Sequence, residues 1–319
     1  MPGGSPSIAV AAYPGLMDGP HLGVVLPNYG DAFDPGRLAS AAVAAEEAGL
    51  DSGWMTDHVL PPARHAPVYG TIAEALVTVG WLAGRTSRLR LGTSALIVPQ
   101  REPLLTLKQL VTLDVLSGGR LITAVAAGWM EEEFQTLGAS FGDRGRRLDE
   151  WLELAGDLLR QAPGRVVADG PVQVPDAWLA PAPTRPEGLE LWVAGVSRHT
   201  LRRAARTGVW HPVALPQREL RSMAADFRAQ VPEGRVVLRL GVAVQDRLDE
   251  EATDDRGRHM VAGPASWVAE QLNDYLEGGA DGFVVDLAHD TPGLEDRIAG
   301  FAAEVAPLLV ARRPAATGT

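Results

Sequence analysis

Eight times between His21 and Val310, a short, predominantly apolar run gives way to a segment whose apolar residues recur at helical spacing. The runs are His21–Leu26, Gly53–Thr56, Leu89–Val98, Leu121–Ala126, Leu191–Ala194, Trp210–Ala214, Val236–Val244 and Gly282–Asp286. The segments that follow them are Pro35–Ala48, Thr71–Ala83, Pro103–Leu116, Arg146–Leu159, Thr200–Arg206, Arg218–Ala229, Ala265–Glu277 and Leu294–Val310. A strand that is apolar throughout is buried on both faces, and a helix between successive strands implies parallel pairing. Eight such units fit a closed α/β architecture, the (β/α)8 or TIM barrel, better than an open doubly wound sheet. Local signals agree: Asp34 is placed to cap the first helix, Pro35 suits its first turn, and Gly49 ends it.

Two connections are long. Pro163–Leu189 is crowded with Pro, Gly and polar residues around Val166-Val167 and Val172–Val174, which predicts a hairpin or loop inserted between units four and five. Asp246–Gly263 is the other, and long connections in compact domains tend to be binding loops or lids. The expected organisation is an N-terminal extension over 1–20, one barrel over 21–312 with its insertion at 163–189, and a C-terminal tail over 313–319.

Composition narrows the chemistry. With 46% hydrophobic and 22% charged residues the chain is of the globular type, and no apolar run approaches the roughly 20 residues of a membrane helix. The start lacks the basic and apolar regions of a signal peptide, so a cytoplasmic location without membrane partners is expected. The absence of cysteine excludes thiolate catalysis, disulfides and iron–sulfur or zinc–thiolate centres. Lys108 is the only lysine and lies in an amphipathic helical segment, which disfavours Schiff-base chemistry. A net charge of −11, with acid gathered at Glu131–Glu133 and Asp249–Asp255, disfavours nucleic acid as a partner.

In such a barrel the residues just after each strand carry the site. They are Asn28 and Tyr29; Thr56, Asp57 and His58; Ser94; Ala126, Ala127, Gly128 and Trp129; Gly195, Val196 and Ser197; His211; and Asp286 with His289. The histidines arrive singly, without HxH or HExxH spacing, so no metal site is expected. Asp57 and Asp286 would serve a glycosidase only if strand order brought them together. Leu191–Ser197 followed by the basic segment Arg198–Arg206 reads either as an anion site at a helix start or as a plain turn with a serine cap. The small residues of Ala124–Trp129 would let a flat ligand lie against backbone, or would serve tight strand packing. His58 is either a hydrogen-bonded structural group or a proton carrier.

Several motifs in register carry a family resemblance. Trp54-Met-Thr-Asp-His58, Leu91-Gly-Thr-Ser-Ala-Leu-Ile-Val-Pro-Gln-Arg-Glu-Pro-Leu104, Leu113-Asp-Val-Leu-Ser-Gly-Gly-Arg-Leu121, Ala127-Gly-Trp-Met-Glu-Glu-Glu-Phe134, Phe141-Gly-Asp-Arg-Gly-Arg-Arg-Leu-Asp-Glu150 and Leu191-Trp-Val-Ala-Gly195 together resemble the luciferase-like monooxygenase superfamily. The likeness runs from about Leu22 to Leu309 and is greatest to the branch that uses the deazaflavin coenzyme F420, with the flavin mononucleotide (FMN) branch as its neighbour. It implies a tricyclic ring at the barrel mouth, with Thr56, Asp57 and His58 beside it. It further implies a non-proline cis peptide at Ser94–Ala95 behind the ring, the turn Ala126–Trp129 along it, and the turn Ala194, Gly195, Val196 and Ser197 on its phosphate.

From this resemblance, an F420-dependent oxidoreductase is expected, moving a hydride to or from a small-molecule or natural-product substrate. His58 would relay the proton, Asp57 would orient or bias His58, and Asn28, Tyr29 and His211 would line the substrate side. An FMN-dependent monooxygenase is one alternative. The other is a non-catalytic ligand-binding barrel that has lost its cofactor chemistry, which Ala124 and Ala126, where relatives commonly carry glycine, would suit. A homodimer would be ordinary for relatives.

Overall fold

The computed structural model describes residues 19–30, 33–254 and 256–310. The tail expected over 313–319, and all but the last two residues of the extension expected over 1–20, lie outside them. Eight parallel strands close into a barrel in the order β1 (His21–Val25), β2 (Ser52–Met55), β3 (Arg90–Ile97), β4 (Leu121–Ala126), β7 (Leu191–Ala194), β8 (Val209–His211), β9 (Arg235–Val244) and β11 (Gly282–Asp286). Pairing of β11 with β1 and of β8 with β9 completes the ring. The remaining pair, β5 (Gly164–Ala168) and β6 (Val174–Leu179), forms an antiparallel hairpin between the fourth and fifth barrel strands. The helices are α1 (Pro35–Glu47), α2 (Ala66–Tyr69), α3 (Ala75–Ala83), α4 (Pro103–Leu116), α5 (Glu131–Thr136), α6 (Arg144–Gln161), α7 (Arg198–Thr207), α8 (Gln217–Gln230), α9 (Ala265–Glu277) and α10 (Leu294–Gly300).

Three departures from the sequence reading have local causes. The segment expected as helix from Thr71 begins at Ala75, because Thr71 donates its hydroxyl to the Gly30 carbonyl and the Ala73 amide bonds the Asn28 carbonyl. The last helix gives way after Gly300 to a wider turn over Phe301–Val305 and a tight one over Ala306–Leu308, where Pro307 lacks the donor a helix needs. Within the connection 246–263, the strand β10 (Met260–Gly263) adds in parallel to the outer end of β9, pairing with Gly241–Val244.

The interior of the barrel is plugged by indoles. Trp54 and Trp192 pack with ring centroids 4.8 Å apart, and His211 stacks on Trp54 at 5.3 Å. Glycines on the neighbouring strands make room: a Cβ on Gly23 would lie 2.5 Å from Trp54 Nε1, and one on Gly92 2.5 Å from its Cε3. Aliphatic side chains such as Leu91, Val193 and Leu238 join the larger cluster between strands and helices, as a parallel barrel requires. Below the plug, His21 pairs with Ser52 at the N-terminal ends of β1 and β2, and the residues singled out from the sequence lie above it, at the C-terminal ends.

Candidate active site at the barrel mouth

His58 follows β2 and is buried, with 5% of its surface exposed. Its Nδ1 lies 2.7 Å from Oε2 of Glu133 on α5, and the other carboxylate oxygen accepts from the amides of Val59 and Leu60 at 2.6 and 3.0 Å. Burial opposes charge on Glu133, but the imidazole and the two amides outweigh it and hold its carboxyl below the ordinary value. A carboxylate accepting from Nδ1–H leaves Nε2 as the free ring nitrogen, which has no hydrogen-bond partner among the described residues. Tyr69 packs on the ring at 4.3 Å, and the exposed Trp129 meets it edge-on at 5.9 Å.

Asp57 does not orient His58. Its Oδ2 accepts from the Ile97 amide at 2.8 Å and its Oδ1 from Arg101 at 2.6 Å, while Arg101 also reaches Glu74 at 2.9 Å. Burial raises the Asp57 carboxyl above its ordinary value, against the pull of Arg101 and the amide. Its work is to tie the ends of β2 and β3 together.

Two residues expected on the substrate side are elsewhere. Asn28 is fully buried and its carboxamide is spent on backbone: Nδ2 donates to the carbonyls of Thr56 and Ala73, and Oδ1 accepts from the Thr56 amide. His211 is equally buried on the indole plug, with Nδ1 2.6 Å from the Val237 carbonyl and Nε2 2.9 Å from Ser94 Oγ. A carbonyl accepts only from Nδ1–H, so Nε2 is the acceptor and Ser94 donates. Burial, reinforced by Arg239, lowers its pKa to about 4, so the ring is neutral at pH 7.

Above that layer stands Arg239, in the middle of β9, with 5% of its surface exposed. It donates to the Ser94 carbonyl at 2.8 Å and Thr56 Oγ1 at 3.1 Å, and reaches Tyr29 Oη at 3.4 Å and Asp286 Oδ2 at 3.5 Å. The Ser94–Ala95 peptide is cis. Tyr29 is the one expected substrate-side residue that remains at the mouth; its hydroxyl also meets Arg256 from the connection before β10, which reaches Tyr69 Oη as well. Sequence reasoning missed Glu133, Arg239 and Arg256. A lone arginine in an otherwise apolar strand was a usable signal, whereas nothing separates Glu133 from the other two acids of its run except its inward helical position.

The remaining expected residues form two patches. At the end of β4, Ala126, Ala127 and Gly128 are half-buried and lead to Trp129; Gly128 is at φ +87°, and its Cβ would strike Ile97 and Phe134, so its glycine is explained by packing. Ala194 ends β7, and at Gly195, φ +129°, the amide donates to the His211 carbonyl. Ser197 caps α7 by accepting from the Thr200 amide at 3.2 Å, and Val196 and Ser197 are exposed. The amides of Arg198 and His199 have no acceptor among the described residues. A ring-bearing phosphate ester fits these features: open amides at a helix start for its anion, a half-buried small-residue edge for its flat part, and an imidazole nitrogen without a partner. Among the described residues no cluster of three or more His, Asp or Glu could hold a metal, and no helix is long and apolar enough to cross a membrane. A pocket of about 300 Å³ between α8, α9 and β10, lined by Gln217, Glu250, His259 and Trp267, touches none of the residues above.

The fold is that of a closed (β/α)8 barrel with a hairpin inserted after its fourth strand. Residues 17–302 match the family model for luciferase-like monooxygenases, and the chain belongs to that family. It is 36% identical over 183 residues to an F420-dependent glucose-6-phosphate dehydrogenase of Kineococcus radiotolerans, covering 56% of this chain and 52% of that one. It is 32% identical over 181 residues to the 4-hydroxyprotoasukamycin monooxygenase of Streptomyces nodosus subsp. asukaensis, covering 55% and 47%. The matched span is thus about half the length of these relatives. In fold the chain resembles an F420-dependent secondary alcohol dehydrogenase bound to an F420–acetone adduct, with TM-score 0.76, 18% identity and coverage of 91% and 99%. It also resembles an FMN-bound type II Baeyer–Villiger monooxygenase of Pseudomonas putida, with TM-score 0.74, 16% identity and coverage of 92% and 100%.

Proposed function

We propose that the protein is an F420-dependent oxidoreductase that transfers a hydride between the deazaflavin and a small-molecule or natural-product substrate. The observation that carries this reading is His58: one ring nitrogen is fixed by a buried carboxylate and the other is left without a partner at the mouth. When bound, the deazaflavin supplies the hydride donor or acceptor, and the protein supplies alignment and a proton site. The amides opening α7, with Ala194, Gly195, Val196 and Ser197, would hold the phosphate. Thr56, Ser94, Ala95 and the turn Ala126, Ala127, Gly128 and Trp129 would face the ring.

His58 Nε2 takes up or returns the substrate proton, and Glu133, in place of Asp57, keeps the tautomer that makes this possible. Tyr29 and Tyr69 bound the substrate side and exclude water. Relatives named for F420 and for oxygenation both occur, so the decisive assay is anaerobic. Reduction of F420 by a panel of alcohols, or its reoxidation by enones and imines, is expected; oxygen consumption with reduced FMN in its place would favour the monooxygenase reading. Binding of neither ring in titration would leave the non-catalytic barrel. A homodimer is part of the same proposal: Leu105 and Leu116 stand three turns apart on one stripe of α4, with Val77 on neighbouring α3, and all three are more than half exposed. Sedimentation at the mass of one chain would overturn it.

A further inference from the structure

The mouth holds a second carboxylate-backed imidazole that the reading above does not use. His289 follows β11, and its Nδ1 lies 2.8 Å from Asp286 Oδ1. The ring packs on Tyr29 at 4.3 Å, and Tyr29 in turn packs on Tyr69, the residue that covers His58. The two imidazoles therefore flank one pair of tyrosines, on strands that are neighbours through β1. Only 4% of His289 is exposed, and its Nε2 is buried without a hydrogen-bond partner among the described residues. A buried polar atom left in that state costs stability, and it is tolerated where a ligand completes it.

The tautomer of this ring follows from its neighbours. Burial works against ionisation of Asp286, but His289 and Arg239 outweigh it and hold the carboxyl far below its ordinary range, so it stays a carboxylate. A carboxylate only accepts, so Nδ1 carries the hydrogen, and Nε2 of the neutral form of the ring is a bare lone pair. Tyr29, Arg239 and Arg256 bring donors to the same end of the barrel, but none reaches this atom. What Nε2 lacks, among the described residues, is a hydrogen-bond donor.

We propose that His289 Nε2 is a ligand-binding atom of the mouth, oriented by Asp286, and that it accepts a hydrogen bond from the hydroxyl of an alcohol. This goes beyond the redox reading, because it concerns recognition and needs no cofactor.

Long-range proton–nitrogen correlation spectra of the ¹⁵N-labelled protein at mildly alkaline pH test it, with the His289 signals assigned by their loss in His289→Phe, or in His289→Gln if the first does not fold. The expected spectrum shows hydrogen on Nδ1 and a bare Nε2. Isopropanol is expected to move the Nε2 resonance upfield by several parts per million, whereas acetone, which has no donor, leaves it in place. Asp286→Asn provides an inversion. Its side-chain oxygen remains with Arg239 and its NH2 turns to Nδ1, so the hydrogen shifts to Nε2, and acetone is then expected to move a signal it did not move before. A protonated Nε2 in the parent protein overturns the proposal. So does an Nε2 resonance that ignores isopropanol while the backbone spectrum stays folded. Failure of the F420 assay would leave this result untouched, and a silent Nε2 would leave the F420 assay untouched.

Discussion

Glu133 binds His58 and the loop that carries it at the same time: one oxygen lies 2.7 Å from Nδ1, while the other bridges the amides of Val59 and Leu60. The carboxylate is almost wholly buried, so nothing but these donors sustains its charge. Orientation and tautomer of the ring therefore depend on a residue 75 positions away.

Glu133→Gln keeps the shape and removes the charge. Its NH2 must face either an amide or Nδ1, and the second choice moves the ring hydrogen onto Nε2. Turnover is expected to fall about 10²-fold, as for loss of a general acid–base group, with F420 affinity kept within a few-fold. His58→Ala should lose at least as much, and the double variant little more than His58→Ala, because the two act as one unit. Single-turnover anaerobic spectra with a fluorescence titration of the coenzyme check both parts. An unchanged rate in Glu133→Gln would remove the pair from the chemistry.

Asp57 carries a prediction of the opposite kind. It is the shared partner of the Ile97 amide and of Arg101, which is itself mostly buried. Asp57→Ala leaves that guanidinium with Glu74 alone and the Ile97 amide without its acceptor, and is expected to cost up to about 3 kcal/mol, the low end for breaking a buried ion pair from one side. Asp57→Asn keeps an acceptor for the amide and should cost less, and its turnover per folded molecule should stay far closer to the parent than that of Glu133→Gln. Urea unfolding and active-site titration separate the two effects.

The strands and most helices were legible because each is set by short-range pattern: apolar runs, Asp34 before Pro35 on α1, and Ser197 before α7. The cis peptide at Ser94–Ala95 was legible through resemblance alone. Side-chain partnerships were not. Asp57 and His58 are adjacent in sequence and point to different partners, because successive residues at the end of a strand leave it on opposite sides. Asn28 and His211 stand at strand ends as expected, but hydrogen bonds to Thr56, Ala73 and Val237 turn them into the structure. Glu133 and Arg256 reach the mouth from a short helix and a long connection, elements whose placement depends on the closed barrel.

The indole plug gives a packing test. Gly92→Ala would put a methyl group 2.5 Å from Cε3 of Trp54, on a ring held between Gly23, Trp192 and His211. Overpacking of this kind costs about 1–3 kcal/mol. Trp54→Phe should recover part of that loss, so the double variant is expected to be more stable than the sum of the single effects. Thermal melts of the three variants measure the coupling, and strict additivity would mean that the strand moves away from the ring instead.

His211 makes a test by pH. Its folded pKa is about 4 because burial, aided by Arg239, disfavours the charged ring, whereas in the unfolded chain an ordinary histidine titrates near 6.5. Between those values the unfolded state binds the proton and the folded state does not, so stability is complete above the upper value and is lost as pH falls toward the lower one. The loss from this residue amounts to about 3 kcal/mol at the acid end. His21, also lowered by burial, acts in the same direction, whereas Asp51 and Asp57, raised by burial, act against it. The comparison that isolates His211 is therefore parent against His211→Phe: the variant is expected to be less stable at neutral pH, having orphaned Ser94 Oγ and the Val237 carbonyl, but to lose less between pH near 6.5 and near 4.5. Urea midpoints at the two pH values give the difference, and equal losses in the two proteins would mean that the ring is protonated inside the fold.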